Sequence, residues 1–109
     1  MSADDAAAYA EAKPKIDLAK AKFAEDKSEN KLAFITWINE TYVPENKRQA
    51  IPGEEITSVN KKFARWYVGK ISKHIHPDNF VTESKAKIFE MQEISSLNNK
   101  IVNKLKGHT

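Results

Sequence analysis

Three stretches of the chain place apolar residues at steps of three and four, the spacing that lines one face of an α-helix. They cover residues 31–42, 54–75 and 83–105. No stretch alternates with the period of two that a β-strand requires. The pattern therefore predicts an all-α fold, in which the two longer helices form an antiparallel hairpin and a shorter helix precedes them. With His74 and Asn98 as alternatives to Ile75 and Leu97, the predicted core positions are Leu32, Ile35, Ile38, Tyr42, Ile56, Val59, Phe63, Tyr67, Ile71, Ile75, Ile88, Met91, Ile94, Leu97, Ile101 and Leu105.

Prolines and glycines divide these predicted helices. Residues 43–53 contain two prolines and a glycine, which predicts a loop. Pro77 ends the second long helix, because a residue before proline avoids helical backbone. Thr82 is the predicted cap of the last helix. Gly69 lies within a predicted helix, where glycine costs about 1 kcal/mol relative to alanine, and close packing against another helix is one possible reason.

The first 30 residues have a weaker pattern. Residues 2–13 are rich in alanine, but Pro14 follows and Tyr9 is their one large apolar side chain, so we expect a frayed or loosely docked segment. Residues 15–27 can form a helix, and Asp26, Ser28 and Asn30 can cap a new one. Residues 1–30 are thus predicted to be a helical or partly disordered extension, and residues 31–109 the domain proper. The extension either pads the core, or binds a client or an assembly.

Composition narrows the class of protein further. A chain of 109 residues with net charge +3 fits one small domain. Cysteine is absent, which excludes disulfides and thiol chemistry and is typical of a reducing compartment such as the cytoplasm. No apolar run approaches the ~20 residues of a membrane span. We expect no cofactor and no metal.

Positive charge is concentrated in one segment. Residues 56–77 contain no acidic residue, which predicts affinity for an acidic partner. The basic residues of this segment are Lys61, Lys62, Arg65, Lys70 and Lys73.

His76-Pro77-Asp78 follows directly, at the predicted tip of the hairpin. Function concentrates at such tips, although polar turns also carry Pro and Asp for structural reasons. The surrounding order is more specific. A basic helix runs into the triplet through "KKFARWYVGKISKHIHPDNF", and "AKIFEMQEISSLNNKIVNKL", with its Leu97-Asn98 pair, follows. Over about residues 31–105 this arrangement resembles the J-domain, the DnaJ-type co-chaperone module, and is most similar to its auxilin-like branch.

The resemblance implies a function without covalent chemistry. J-domains bind a DnaK-type 70-kDa heat-shock chaperone in its ATP state and stimulate its ATP hydrolysis, in the auxilin-like branch to disassemble a protein complex. The chaperone-binding residues implied here are His76, Pro77, Asp78, Lys61, Lys62, Arg65, Lys70 and Lys73. Asn79, Gly69 and Trp66 depart from the family pattern, since lysine or arginine is common at these places. The departures concern the strength of chaperone contact.

Other functions are weighed against this interpretation. A basic helix with Trp66 and Tyr67 could bind nucleic acid, but these aromatics fall largely on the predicted core stripe. Metal binding by His74 and His76 is disfavoured, because residues two apart do not share a helical face. Acid–base catalysis by His76 and Asp78 lacks a nucleophile and an enclosed pocket. A docking subunit that uses a J-like fold without stimulating a chaperone is the remaining alternative.

Overall fold

The computed structural model describes residues 2–28, 31–51 and 61–105, and these residues are helical without a β-strand. The all-α prediction is confirmed. Short 3₁₀ turns at Glu45–Lys47, Ser72–His74 and Pro77–Phe80 join or follow the helices. The α-helices are α1 (Ala3–Glu25), α2 (Leu32–Tyr42), α3 (Lys61–Lys70) and α4 (Lys85–Leu105).

The predicted apolar stripes form one core. Ile35, Tyr67, Ile71 and Ile94 are each fully buried in it. Leu32, Trp37 and Tyr42 pack against it while partly exposed. The predicted core residues Ile56 and Val59 lie outside the described residues, as does the side chain of Leu105.

Helix α1 differs from its prediction. It is one continuous helix through Pro14, so the expectation of a frayed segment interrupted at that residue is wrong. Ala12, Ile16 and Ala19 are buried on one face of α1, and Ala19 belongs to the common core. Burial of apolar residues on both sides of the proline compensates for its lost hydrogen bond. Pro14 and Ala10 are exposed, so water can bind the Ala10 carbonyl that has lost its helical partner.

Helices α1 and α4 lie side by side and run in the same direction. Near their N-termini, Lys85 Nζ lies 3.1 Å from Asp5 Oδ1, and this lysine lowers the pKa of the Asp5 carboxyl. Farther along, the rings of Tyr9 and Phe89 meet edge to face with centroids 6.0 Å apart. Near their C-terminal ends, Lys100 lies over the Phe23 ring, 5.8 Å from its centroid. The contacts advance together along both helices, which establishes the parallel arrangement.

A buried carboxylate joins α4 to α1 and α2. The side chain of Glu90 is 4% exposed and accepts a hydrogen bond of 2.5 Å from the Tyr42 hydroxyl. Lys87 Nζ lies 3.6 Å and Lys15 Nζ 3.9 Å from its other oxygen. Burial, together with the Glu90 contact, raises the pKa of Tyr42 far above its usual range, so the hydroxyl stays a donor. A buried carboxylate is tolerated only with such partners.

The two long helices begin or end at residues other than those predicted. The helix expected over residues 54–75 changes to a 3₁₀ turn after Lys70, and residues 52–60, at its predicted start, lie outside the described residues. Helix α4 begins at Lys85 and not at residue 83. Ser84, and not Thr82, caps it, because the Ser84 hydroxyl accepts from the Lys87 N–H at 3.2 Å.

Candidate functional site

Proline determines the backbone of the tip between α3 and α4. Pro77 is the first residue of the 3₁₀ turn Pro77–Phe80, where its missing N–H is not needed. His76 precedes it with φ −63° and ψ 134°, the extended conformation to which proline restricts its neighbour. Since His76 cannot be helical, α3 must end before it. The short 3₁₀ turn Ser72–His74 makes that transition.

His76 caps the turn that carries Asp78. Its Nδ1 accepts a hydrogen bond of 3.2 Å from the Asp78 N–H, so Nδ1 carries no proton and the ring N–H is at Nε2. Nδ1 also lies 3.6 Å from Asp78 Oδ2, which is an ion pair only when the ring is protonated. The side chains of His76 and Asp78 are 60% and 86% exposed, which leaves Nε2–H and the carboxylate free for a partner.

Two residues after the triplet fasten the tip to the rest of the fold. The Asn79 side chain donates a hydrogen bond of 2.7 Å to the Lys73 carbonyl, which closes the tip onto the preceding turn. The Phe80 ring packs against the core. Asn79, a departure from the J-domain pattern, thus has a structural role that its sequence position did not indicate.

A buried amide on α4 holds the base of the tip. Asn98 is 4% exposed; its side-chain oxygen accepts from the Tyr67 hydroxyl, and its amide donates to the Ser72 hydroxyl at 2.5 Å. Burial raises the pKa of Tyr67 well above its usual range, so its hydroxyl stays a donor. The network connects α4 to the end of α3 and to the first residue of the turn that leads to His76. Asn98 belongs to the Leu97-Asn98 pair of the sequence pattern, but that pattern does not predict these hydrogen-bond partners.

Three of the five predicted basic residues, Arg65, Lys70 and Lys73, form a solvent-exposed face of α3 and the turn after it. Arg65, Lys70 and Lys73 are exposed, and no ion pair joins them to another residue in the part of the chain that the structure describes. Lys61 and Lys62 begin α3, but their side chains lie outside the description. The face therefore retains uncompensated positive charge up to the tip.

An open cleft of about 210 Å³ lies between α3 and α4 and ends at the tip. His76 and Lys73, both predicted site residues, line it together. Its remaining walls are Val68, Ser72, Ser95, Asn98, Asn99 and Val102.

The aromatics of α3 are occupied within the fold. Tyr67 is fully buried, and the Trp66 ring stacks on Phe63 with centroids 5.5 Å apart. Base stacking by Tyr67 would require α3 to leave the core. This geometry disfavours the nucleic-acid alternative, which depended on both rings.

No cluster of metal ligands surrounds the two histidines of the turn among the described residues. His74 is partly buried, and desolvation, followed by the charges of Lys73 and Lys47, lowers its pKa. Within the described ranges, no group of three or more His, Cys, Asp or Glu side chains could hold a metal ion. No described helix is long and apolar enough to cross a membrane.

Gly69 corrects another expectation. Outside its own helix backbone and chain neighbours, a Cβ atom added to Gly69 would meet no atom of the described residues within 4 Å, so close packing against another described helix does not explain this glycine.

Comparison with known proteins found no similarity. No family model matches the chain, and neither a curated protein nor a solved structure matches it.

Proposed function

We propose that this protein is a J-domain-type co-chaperone that binds a DnaK-type 70-kDa heat-shock chaperone and stimulates its ATP hydrolysis. The observation that carries the proposal is the exposed His76-Pro77-Asp78 tip, which is fastened on both sides while its functional groups face solvent. A tip of this kind is pre-organised for a partner, since little conformational entropy remains to be lost on binding.

Each residue of the triplet has a distinct role in this proposal. Asp78 forms a charge-assisted hydrogen bond to a cationic side chain of the chaperone, a contact roughly twice as strong as a neutral one. Pro77 holds the turn. His76 caps the turn through Nδ1 and offers Nε2–H to the partner.

In this proposal the basic face attracts the chaperone during the initial encounter. Arg65, Lys70 and Lys73 are exposed and unpaired within the described chain, so their field extends into solvent towards an acidic chaperone surface. Such steering raises the association rate and weakens as salt screens it. We therefore expect stimulation of ATP hydrolysis to fall as salt concentration rises.

The experiment is single-turnover ATP hydrolysis by a DnaK-type chaperone with and without this protein. We expect wild-type protein to accelerate hydrolysis and Asp78→Asn to abolish the effect while thermal unfolding stays unchanged, because Asp78 is 86% exposed. A well-folded wild type that gives no acceleration would leave a docking subunit as the better interpretation.

A pair of His76 variants separates capping from contact. Asparagine is a good helix cap and can accept the Asp78 N–H, whereas glutamine is a poorer one. If the ring contacts the chaperone, His76→Asn and His76→Gln both lose stimulation. Full activity of His76→Asn would restrict the histidine to a structural role. Asp17→Asn removes a carboxylate from the exposed surface of α1. It is the matched control for Asp78→Asn and should stimulate like wild type.

Two finer aspects belong to the same proposal. Residues 1–30 are the candidates for recruiting a client, since α1 exposes Leu18 at 48% beside its buried face. The absence of cysteine accords with action in the cytoplasm.

A further inference from the structure

The His76 ring has two alternative contacts with Asp78, and the proton on Nδ1 decides between them. While Nδ1 carries no proton, it accepts the hydrogen bond of 3.2 Å from the Asp78 N–H. The same nitrogen lies 3.6 Å from Asp78 Oδ2, with which a protonated ring forms an ion pair. One nitrogen cannot accept a hydrogen bond and carry a proton at the same time, so the two contacts exclude each other.

The two contacts leave the tip in different electrostatic states. The neutral ring caps the turn and leaves the Asp78 carboxylate, on a side chain 86% exposed, open to a partner. The protonated ring pairs with that carboxylate and gives up the Asp78 N–H to water. The turn keeps its other supports, because Asn79 still donates to the Lys73 carbonyl and Phe80 still packs on the core. Protonation therefore changes the charge presented by the tip and not its fold.

The charges around His76 come from two neighbours. Lys73 lines the same cleft with a positive charge, and Asp78 lies beside the ring with a negative one. Helix α4 contributes only uncharged residues to the cleft, namely Ser95, Asn98, Asn99 and Val102. Among the described residues, Asp78 is the one acidic group within ion-pair distance of the His76 ring. A proton on this ring thus acts on the carboxylate of the tip.

We infer that His76 is a pH-sensitive switch of the tip, in which protonation of the ring captures the Asp78 carboxylate and weakens binding of the chaperone. This inference rests on the proposed function and adds its regulation. A carboxylate already paired with the imidazolium has less to gain from a cationic side chain of the chaperone. Histidine is suited to this role, because it is the side chain that ordinarily changes charge between pH 5 and 8.

The inference predicts how affinity and proton uptake change together. Affinity for the ATP-bound chaperone should fall by roughly twofold to fivefold from about pH 8 to about pH 5.5, the factor by which an exposed ion pair competes with a partner. Binding should also release protons near neutral pH, because the chaperone selects the neutral ring. Calorimetric titration in buffers of different ionisation enthalpy measures both quantities.

Two replacements identify the titrating group. A histidine fluorinated on the ring carbon between the nitrogens, placed at position 76 by chemical synthesis of the chain, keeps both nitrogens but stays neutral. Its affinity should not vary with pH. His74→Gln removes the other histidine of the turn and should keep the wild-type pH dependence. Nuclear magnetic resonance of the protein alone gives a direct readout, since the Asp78 N–H and carboxyl resonances should shift together as the His76 ring gains its proton.

Single-turnover hydrolysis of the same samples separates this inference from the proposed function. If wild-type protein neither binds nor stimulates at any pH, the proposed function is wrong and its regulation falls with it. If wild type stimulates but binds equally well or tighter in acid, the inference is wrong and the function stands. The inference is also overturned if the fluorinated ring leaves the fall in affinity unchanged, because the titrating group is then elsewhere. Loss of the pH dependence in His74→Gln, or Asp78 resonances that do not follow His76, would overturn it as well.

Discussion

Replacing Asp26 with asparagine should destabilise the protein at the junction of α1 and α2. Asp26 is 8% exposed and ends α1. One carboxylate oxygen accepts from the Ser28 N–H at 3.0 Å and from the Ser28 hydroxyl at 2.6 Å. The other accepts from the Phe34 N–H at 3.0 Å, eight residues along the chain. Asparagine has nearly the same volume, so the variant tests charge and hydrogen bonding without opening a cavity.

The contact with Phe34 matters because α2 has no other cap for this N–H. Lys31, the residue at the N-cap of α2, is left-handed with φ 53° and makes no capping hydrogen bond. Its ammonium group instead donates to the carbonyls of Phe23 and Asp26, 3.0 and 2.5 Å away, at the end of α1. The end of α1 and the start of α2 are thus capped by each other's side chains.

The magnitude follows from the three bonds of the carboxylate. A hydrogen bond to a charged group contributes about 1.5–3 kcal/mol and a neutral one about 0.5–1.5 kcal/mol. Asparagine keeps one acceptor oxygen, but its side-chain NH₂ group then faces a donor of Ser28 or Phe34, and two donors form no hydrogen bond. We therefore expect a loss of about 2–4 kcal/mol in the free energy of unfolding at pH 7, a large share of the ~5–15 kcal/mol of a small domain.

The pH dependence gives a second signature. Burial raises the pKa of Asp26, but the hydrogen bonds from Ser28 and Phe34 and the charge of Lys31 outweigh it, so the pKa lies below its usual value. The ionised carboxylate therefore stabilises the fold above the unfolded pKa of about 3.9, and this stabilisation is lost as pH falls through the lower folded value. The difference between wild type and Asp26→Asn should be constant near neutral pH and shrink below about pH 4.

Urea unfolding at pH 7 and at several values below pH 4 measures both signatures. Asp17→Asn is the control, because Asp17 is an exposed carboxylate paired with Lys13 in α1 and should change stability by less than about 0.5 kcal/mol. Equal stability of Asp26→Asn and wild type at pH 7 would refute the reasoning. A deficit that does not shrink in acid would mean that the lost stability does not come from the charge.

Two further substitutions test tertiary contacts by the same unfolding assay. Pro14→Ala should stabilise the protein by up to about 3 kcal/mol, because it restores the helical hydrogen bond to the Ala10 carbonyl in a helix that is already continuous; a less stable variant would contradict that account of α1. Tyr67→Phe should destabilise it by about 1–3 kcal/mol, because the buried oxygen of Asn98 loses its donor. Combining Tyr67→Phe with Asn98→Leu is the control for this pair. If the hydrogen bond is the cause, the two losses will not be additive.

The tip shows how far local pattern extends into function. Pro77 predicted non-helical backbone at His76, and the polar triplet predicted exposure; both agree with the structure, although α3 itself ends earlier, at Lys70. The fastening of the tip was not predictable, because Asn79 reaches back six residues and Phe80 packs on a core assembled from distant segments. Whether this tip engages a chaperone stays a prediction for the hydrolysis assay.

The sequence by itself determined that α2, α3 and α4 are helical and which of their faces pack into the core. Ile35, Phe63, Ile71 and Ile94 were predicted and found in the core, because apolar spacing at three and four depends only on the repeat of the helix. This spacing is a local property, because it involves only residues close together in the sequence.

Only the tertiary structure decided where helices end and which polar groups meet. Pro14 lies inside a continuous helix because α1 buries apolar residues against the rest of the fold on both sides of it, which exceeds a local preference. Tyr42 meets Glu90 across 48 positions and Tyr67 meets Asn98 across 31. These partners are chosen when the helices pack and every buried polar atom must find a donor or acceptor, a condition that applies to the assembled core and to no single segment of the chain.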